Sequence, residues 1–206
     1  MSTQQTLLRI LVVVTLLGGG CHNPIERERK AYDMAFDTLY VNVFAKMCWK
    51  GTVAKTKSYL EEVLSDERVR ETCQRLGTSI REMAGNDVKS RYRYTVVVDC
   101  AIDVLLTAYQ GFLGHYFDEY NYIEKTLLSV GGLNLQSSYW ELFPEIRKDY
   151  DRIWECWVSM QDTLELKLKA FPSYLEQKKD SLRESGWNKY LEWRKTYDKH
   201  GTKKKM

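Results

Sequence analysis

Apolar side chains along this chain recur at three- and four-residue intervals, the spacing that lines one face of an α-helix. Between Ile25 and Lys50, the series Met34, Ala35, Leu39, Val43, Ala45 and Met47 predicts a first helix that Gly51 ends. Asn23-Pro24 supplies its start, with proline at the first helical position. Thr52 to Leu64 predicts a second helix through Val53, Leu60, Val63 and Leu64. Ser65-Asp66-Glu67 stops it and caps a third, whose stripe is Val69, Cys73, Leu76, Ile80 and Met83, closed by Gly85-Asn86-Asp87. The alternative is that the second and third form one bent rod.

Val88 to Val130 is the longest uninterrupted segment, and its centre, Tyr94 to Leu113, is apolar nearly all the way round. That pattern predicts a buried, central helix. A membrane span would place Asp99 and Asp103 near its middle, at a cost of about 2.5–3.5 kcal/mol each. Gly131-Gly132-Leu133-Asn134 reads as a turn, and Ser138-Tyr139-Trp140-Glu141 has capping-box spacing. Pro144 moves the following start nearer Leu142, and the helix runs to about Ala170 through Ile146, Ile153, Trp154, Trp157 and Leu164. Phe171-Pro172-Ser173 is expected to break the chain before a last helix from Ser173 to about Lys199, bent at Gly186. The expected fold is all-α, an antiparallel bundle of about five long helices forming one domain over residues 25–199. Residues 200–206 are left as a basic tail.

With 206 residues the chain is long enough for one full core. Its 31 basic residues exceed its 28 acidic ones by the three tail lysines, Lys203, Lys204 and Lys205. The domain itself has no basic excess, so no nucleic-acid partner is expected.

Ahead of the bundle lies Leu7 to Cys21, LLRILVVVTLLGGGC. Arg9 and the amino terminus provide positive charge, Ile10 to Leu17 an apolar core, and Gly18, Gly19 and Gly20 small residues. The run is too short to span a bilayer, which takes about 20 residues. Followed by Cys21, it resembles the lipobox of bacterial lipoprotein precursors, with Gly18 where that pattern usually has leucine and Leu17 one place earlier. The resemblance implies a signal peptide over residues 1–20 and lipidation of Cys21. Residues 21–24 then form a short tether, and the domain faces the periplasm or exterior of the cell envelope. His22 is not the aspartate that marks inner-membrane retention in such precursors, which favours the outer membrane.

An oxidising envelope permits disulfides among Cys48, Cys73, Cys100 and Cys156. In a hairpin turning at Asn86, Cys73 and Cys100 stand at the same height, about 20 Å from the turn. That makes them the first candidate pair and leaves Cys48 with Cys156. The alternative is four small buried side chains.

Candidate chemistry is sparse. Asp99 and Asp103 lie four apart in an apolar run, where two close carboxylates would raise each other's proton affinity, as a general acid needs. The plainer reading is a polar stripe, or pairing with an arginine such as Arg147 or Arg152. His115, Asp118 and Glu119 share a helix face and offer half a metal site; a solvated face with His115 held by Glu119 is the competing reading. Gly111 and Gly114 read as close helix packing. HExxH, GxSxG, P-loop and GxGxxG motifs are absent, and no cofactor is expected. Trp187, Tyr190, Trp193 and Tyr197 form an aromatic stripe flanked by basic residues, a surface for a protein partner or for an anionic membrane unless it packs on the bundle. The expectation is a non-catalytic envelope module that binds a protein partner. The alternatives are an enzyme or small-ligand binder using Asp99 and Asp103, and a factor that meets the membrane surface through its last helix.

Overall fold

The computed structural model describes residues 23–131 and 144–202, and the described chain is helical throughout, without strands. The lipobox-like segment with Cys21, the turn and capping box between 132 and 143, and Lys203, Lys204 and Lys205 lie outside the described residues. Helix α1 spans Pro24–Asn42 and is followed by a 3-10 turn, Phe44–Lys46. Next come α2, Val53–Val63, α3, Asp66–Ala84, and α4, Val88–Tyr109. A π-turn, Gln110–Gly114, joins α4 to α5, His115–Gly131, and α6 runs over Pro144–Thr202.

The helix starts follow from short polar side chains. Asn23 accepts a hydrogen bond from the Ile25 backbone N–H at 3.1 Å, Thr52 from Lys55 at 3.2 Å, and Asp87 from Ser90 at 2.9 Å. Gly51 and Gly85 stand at φ +88° and +63°, values that a side chain disfavours. The first helix stops at Asn42, short of the expected Lys50. Val43, Phe44 and Met47 beyond that stop are all buried, so the apolar stripe outlasts the helix itself. The chain also breaks at Leu64–Ser65, so α2 and α3 are separate.

The larger departure is at Pro172. No break occurs there: α6 is one helix of 59 residues with the proline inside it. Proline removes a backbone donor and costs about 3 kcal/mol in a helix interior. Burial of its neighbours opposes that cost: Leu168, Phe171 and Leu175 are all in the core. Phe171 meets Tyr109 and Phe112 with ring centroids 5.9 and 5.6 Å apart, and Phe112 stacks on Tyr174 at 4.2 Å. The proline of α6 and the π-turn after α4 therefore sit at the same height.

Below that level the body packs around α6. Helices α1 and α4 run side by side, both antiparallel to α6, and they meet it at Gly186. A Cβ at position 186 would stand 2.2 Å from Tyr32 Oη and 3.0 Å from a Val104 methyl. Only glycine lets the three helices approach that closely. Ion pairs Arg29–Glu184 and Arg183–Asp37 and a hydrogen bond from Tyr40 to Glu176 line the α1–α6 seam. The apolar face of α4 (Val97, Ala101, Val104, Leu105) is buried against protein in this seam. Val88–Ser129 is apolar enough to cross a membrane by composition, and Val97, Ala101 and Leu105 within it are fully buried in the core. Gly111 and Gly114 do not pack helices together: they belong to the π-turn, and a Cβ on either would meet no other helix.

Gly186→Ala is expected to lower stability by about 1–3 kcal/mol through overpacking. Tyr32→Phe removes a buried hydroxyl that has no hydrogen-bond partner, so alone it should be neutral or mildly stabilising. In the Gly186→Ala background it should recover part of the loss. Urea titration of the four proteins gives the coupling, and strict additivity would contradict this packing.

Candidate functional surfaces

Asp99 and Asp103 share α4 but face different neighbours. Asp103 forms an exposed ion pair with Lys189 of α6. Asp99 faces α3 across a cleft of 240 Å³ lined by Cys73, Gly77, Ile80, Tyr94, Val98 and Ile102, with Arg81 and Arg91 toward the Gly85 turn. The expectation of two buried carboxylates raising each other's pKa is corrected: both residues are exposed, and the Asp99 carboxyl is raised by desolvation alone. Four residues place them only about 40° apart, yet that angle falls at the boundary between the α3 and α6 sides of α4. The partner of Asp103 is a lysine, since Arg147 and Arg152 pair locally with Asp151 and Asp149.

The four thiols Cys48, Cys73, Cys100 and Cys156 are free, so neither expected disulfide is present. The α3–α4 hairpin brings Cys73 and Cys100 to a similar height, and the thiol pKa of each is raised by burial and by Asp99. Equal height is not equal azimuth, however. Cys73 opens into the cleft beside Asp99, whereas Cys100, one residue on, is turned about 100° away into the core. Cys48 adjoins Trp49, which lies under Lys169 of α6. Cys156 is roughly 20 Å further along that helix.

His115 is highly exposed and lies 3.8 Å from Glu119, one turn on, with its ring against Tyr116. Asp118 is also exposed. Among the described residues no group of three or more His, Cys, Asp or Glu side chains could hold a metal ion.

The aromatic stripe divides. Trp187 and Tyr190 are core residues, 7% and 0% exposed, and are corrected as surface candidates. Trp187 packs on Tyr32 and lies beneath the Arg29 guanidinium. Trp193 and Tyr197 are half-buried and form a ring cluster with Tyr92 of α4.

Two further features escaped the sequence. Glu28 is 4% exposed and lies between two arginines, 3.7 Å from Arg93 and 3.2 Å from Arg194. Both arginines also reach Asp198, so this knot ties α1, α4 and α6 together with balanced charge. Its signal was an acid on the same helical stripe as Tyr32, Ala35 and Leu39. Burial and the neighbouring Glu28 push the Tyr190 phenol well above its ordinary pKa.

The second feature is an arm. Above the Phe171 level α5 packs against α6 through Phe117, Tyr120, Leu127, Trp157 and Leu164. Tyr122, Leu128 and Trp154, at 73%, 67% and 46% exposed, remain on its outside together with Val158. No family model, curated protein or solved structure matches this chain.

Asp99→Asn tests the cleft. Folding raises the Asp99 carboxyl pKa, so the charged form penalises the fold fully above that raised value. Below the ordinary aspartate value of about 3.9 the penalty is absent. The Asn variant should therefore melt at or above the parent temperature at pH 7, with the difference vanishing as the pH falls through the carboxylate range. A variant less stable at pH 7 would mean that Asp99 has a favourable partner.

Proposed function

We propose that the chain is a lipid-anchored bacterial envelope protein whose helical domain is a non-catalytic, partner-binding module. Cys21 carries the lipid, and the domain faces the periplasm or exterior, with the outer membrane favoured. One observation carries the reading: the first described residue and the outer arm stand at opposite ends of α6. Glu28 pairs with Arg194 near the end of α6, so Asn23 leaves the body there. The arm occupies the first twenty residues of the same helix. Between Arg194 and Pro144 the helix rises about 75 Å. An anchor at Cys21 thus leaves the body as the part nearest the bilayer and the arm at the far end of the helix. There the exposed Tyr122, Leu128 and Trp154 offer apolar contact, and aromatic anchors of this kind dominate protein interfaces.

A second reading, a small-ligand site in the α3–α4 cleft, draws support from Gly77. This mid-helix glycine meets nothing closer than an Arg81 nitrogen at 3.9 Å, so packing does not require it and the space above it stays open.

Intact-mass analysis of protein purified from membranes is expected to give a chain starting at Cys21 and bearing diacylglycerol. A photo-crosslinker at Trp154 or Tyr122 should capture an envelope protein that one at Lys178, an exposed residue of the body, does not. Recovery from the cytosol with Met1 attached would overturn the anchor, and equal capture at both positions would overturn the arm.

A further inference from the structure

We propose that the end of the body from which Asn23 emerges is itself a bilayer-docking surface, built to lie on anionic lipid. It is composite. The N-termini of α1 and α4 and the C-terminus of α6 reach this end together, as the Glu28, Arg93, Arg194 and Asp198 contacts require. No single one of these segments has the pattern of an amphipathic membrane helix.

Four observations point to a membrane. Val88 and Tyr92 lie one turn apart on the same face of α4 and are 76% and 49% exposed, and Ile25 on α1 is 40% exposed. Behind Tyr92 stand Trp193 and Tyr197, with the three rings 5.0–5.6 Å apart. Indole and phenol rings with one apolar and one wet edge concentrate at the headgroup level of bilayers. The segments that reach this end carry the exposed cations Arg27, Lys89 and Lys195, alongside the acids Glu26, Asp87 and Glu192. Finally, the chain on both sides of the described residues connects here: the apolar run Leu7–Leu17 precedes Asn23, and Lys203, Lys204 and Lys205 follow Thr202. Basic residues next to a membrane anchor favour anionic lipid.

The surface rests on the membrane location proposed above, and it adds an orientation. A lipid on Cys21 alone leaves the body free to tumble on its tether; a docked end holds α6 upright. The protein's own residues, beyond the acyl chain, then set where the arm points.

The test uses the mature protein purified from membranes and vesicles containing brominated phospholipids, either zwitterionic or with added phosphatidylglycerol. Flotation reports anchoring. Quenching of Trp193, isolated by difference from Trp193→Phe, reports docking. The expected result is flotation with both vesicles and Trp193 quenching only with phosphatidylglycerol, relieved by high salt. Val88→Glu/Tyr92→Glu should lower that quenching several-fold while the far-ultraviolet circular dichroism and flotation stay unchanged. Floated protein whose Trp193 is equally unquenched on both vesicles overturns the docking surface and leaves the anchor standing. Quenching that survives the double variant also overturns it. Protein that neither floats nor is quenched overturns both.

Discussion

The arrangement depends on one constraint: α6 remains a single helix through Pro172. A proline there removes a backbone hydrogen bond and crowds the preceding turn. The helix continues because Phe171 and its apolar neighbours on either side are buried against α4, the π-turn and α5. Tertiary packing therefore decides a question that local propensity would settle the other way. With α6 unbroken, the body and the arm become two halves of one rod, and Asn23, at the start of α1, is fixed opposite the arm.

Where α4 reaches Pro172 its own regular spiral also changes. The π-turn at Gln110–Gly114 inserts an extra residue and rotates the apolar stripe. Before it, α4 is shared among α1, α3 and α6; after it, α5 has α6 as its main partner. The two irregularities face each other through Phe112, Phe171 and Tyr174, so the transition from a multi-helix body to a two-helix arm is made at one level by aromatic packing. Further down, Gly186 and the Glu28 knot draw α1, α4 and α6 together. One works by absence of a side chain and the other by balanced charge, and neither has any catalytic requirement.

Much of the helical outline was legible from spacing and punctuation. The α2 and α4 starts follow the side-chain caps Thr52 and Asp87 and the α3 end follows Gly85, because capping chemistry is local, whereas Ser65 precedes α3 without a side-chain cap. Pro172 misled because a proline's cost is local and its compensation is not: Phe171 meets residues some sixty positions earlier in the chain. The cysteines illustrate a related gap. Residue counting gave the height of Cys73 and Cys100 on their hairpin, but azimuth depends on how α3 is rolled against α4. Trp187 and Tyr190 looked like a surface stripe since lysines and arginines surround them, yet Arg29 covers Trp187 and Glu28 faces Tyr190. Asp99 and Asp103 separate for the same reason, each side of α4 having a different neighbour. The lipobox-like segment remains a reading of sequence.

The continuity of α6 can be measured as a length. A helix of 59 residues is about 88 Å long, whereas a compact domain of this size has a radius of gyration of roughly 16 Å. Small-angle X-ray scattering from the purified protein should give a maximum dimension near the helix length and a radius of gyration well above the compact value. A maximum dimension close to that of a compact globule would mean that the chain folds back at Pro172, contradicting the single rod and the separation of its two ends.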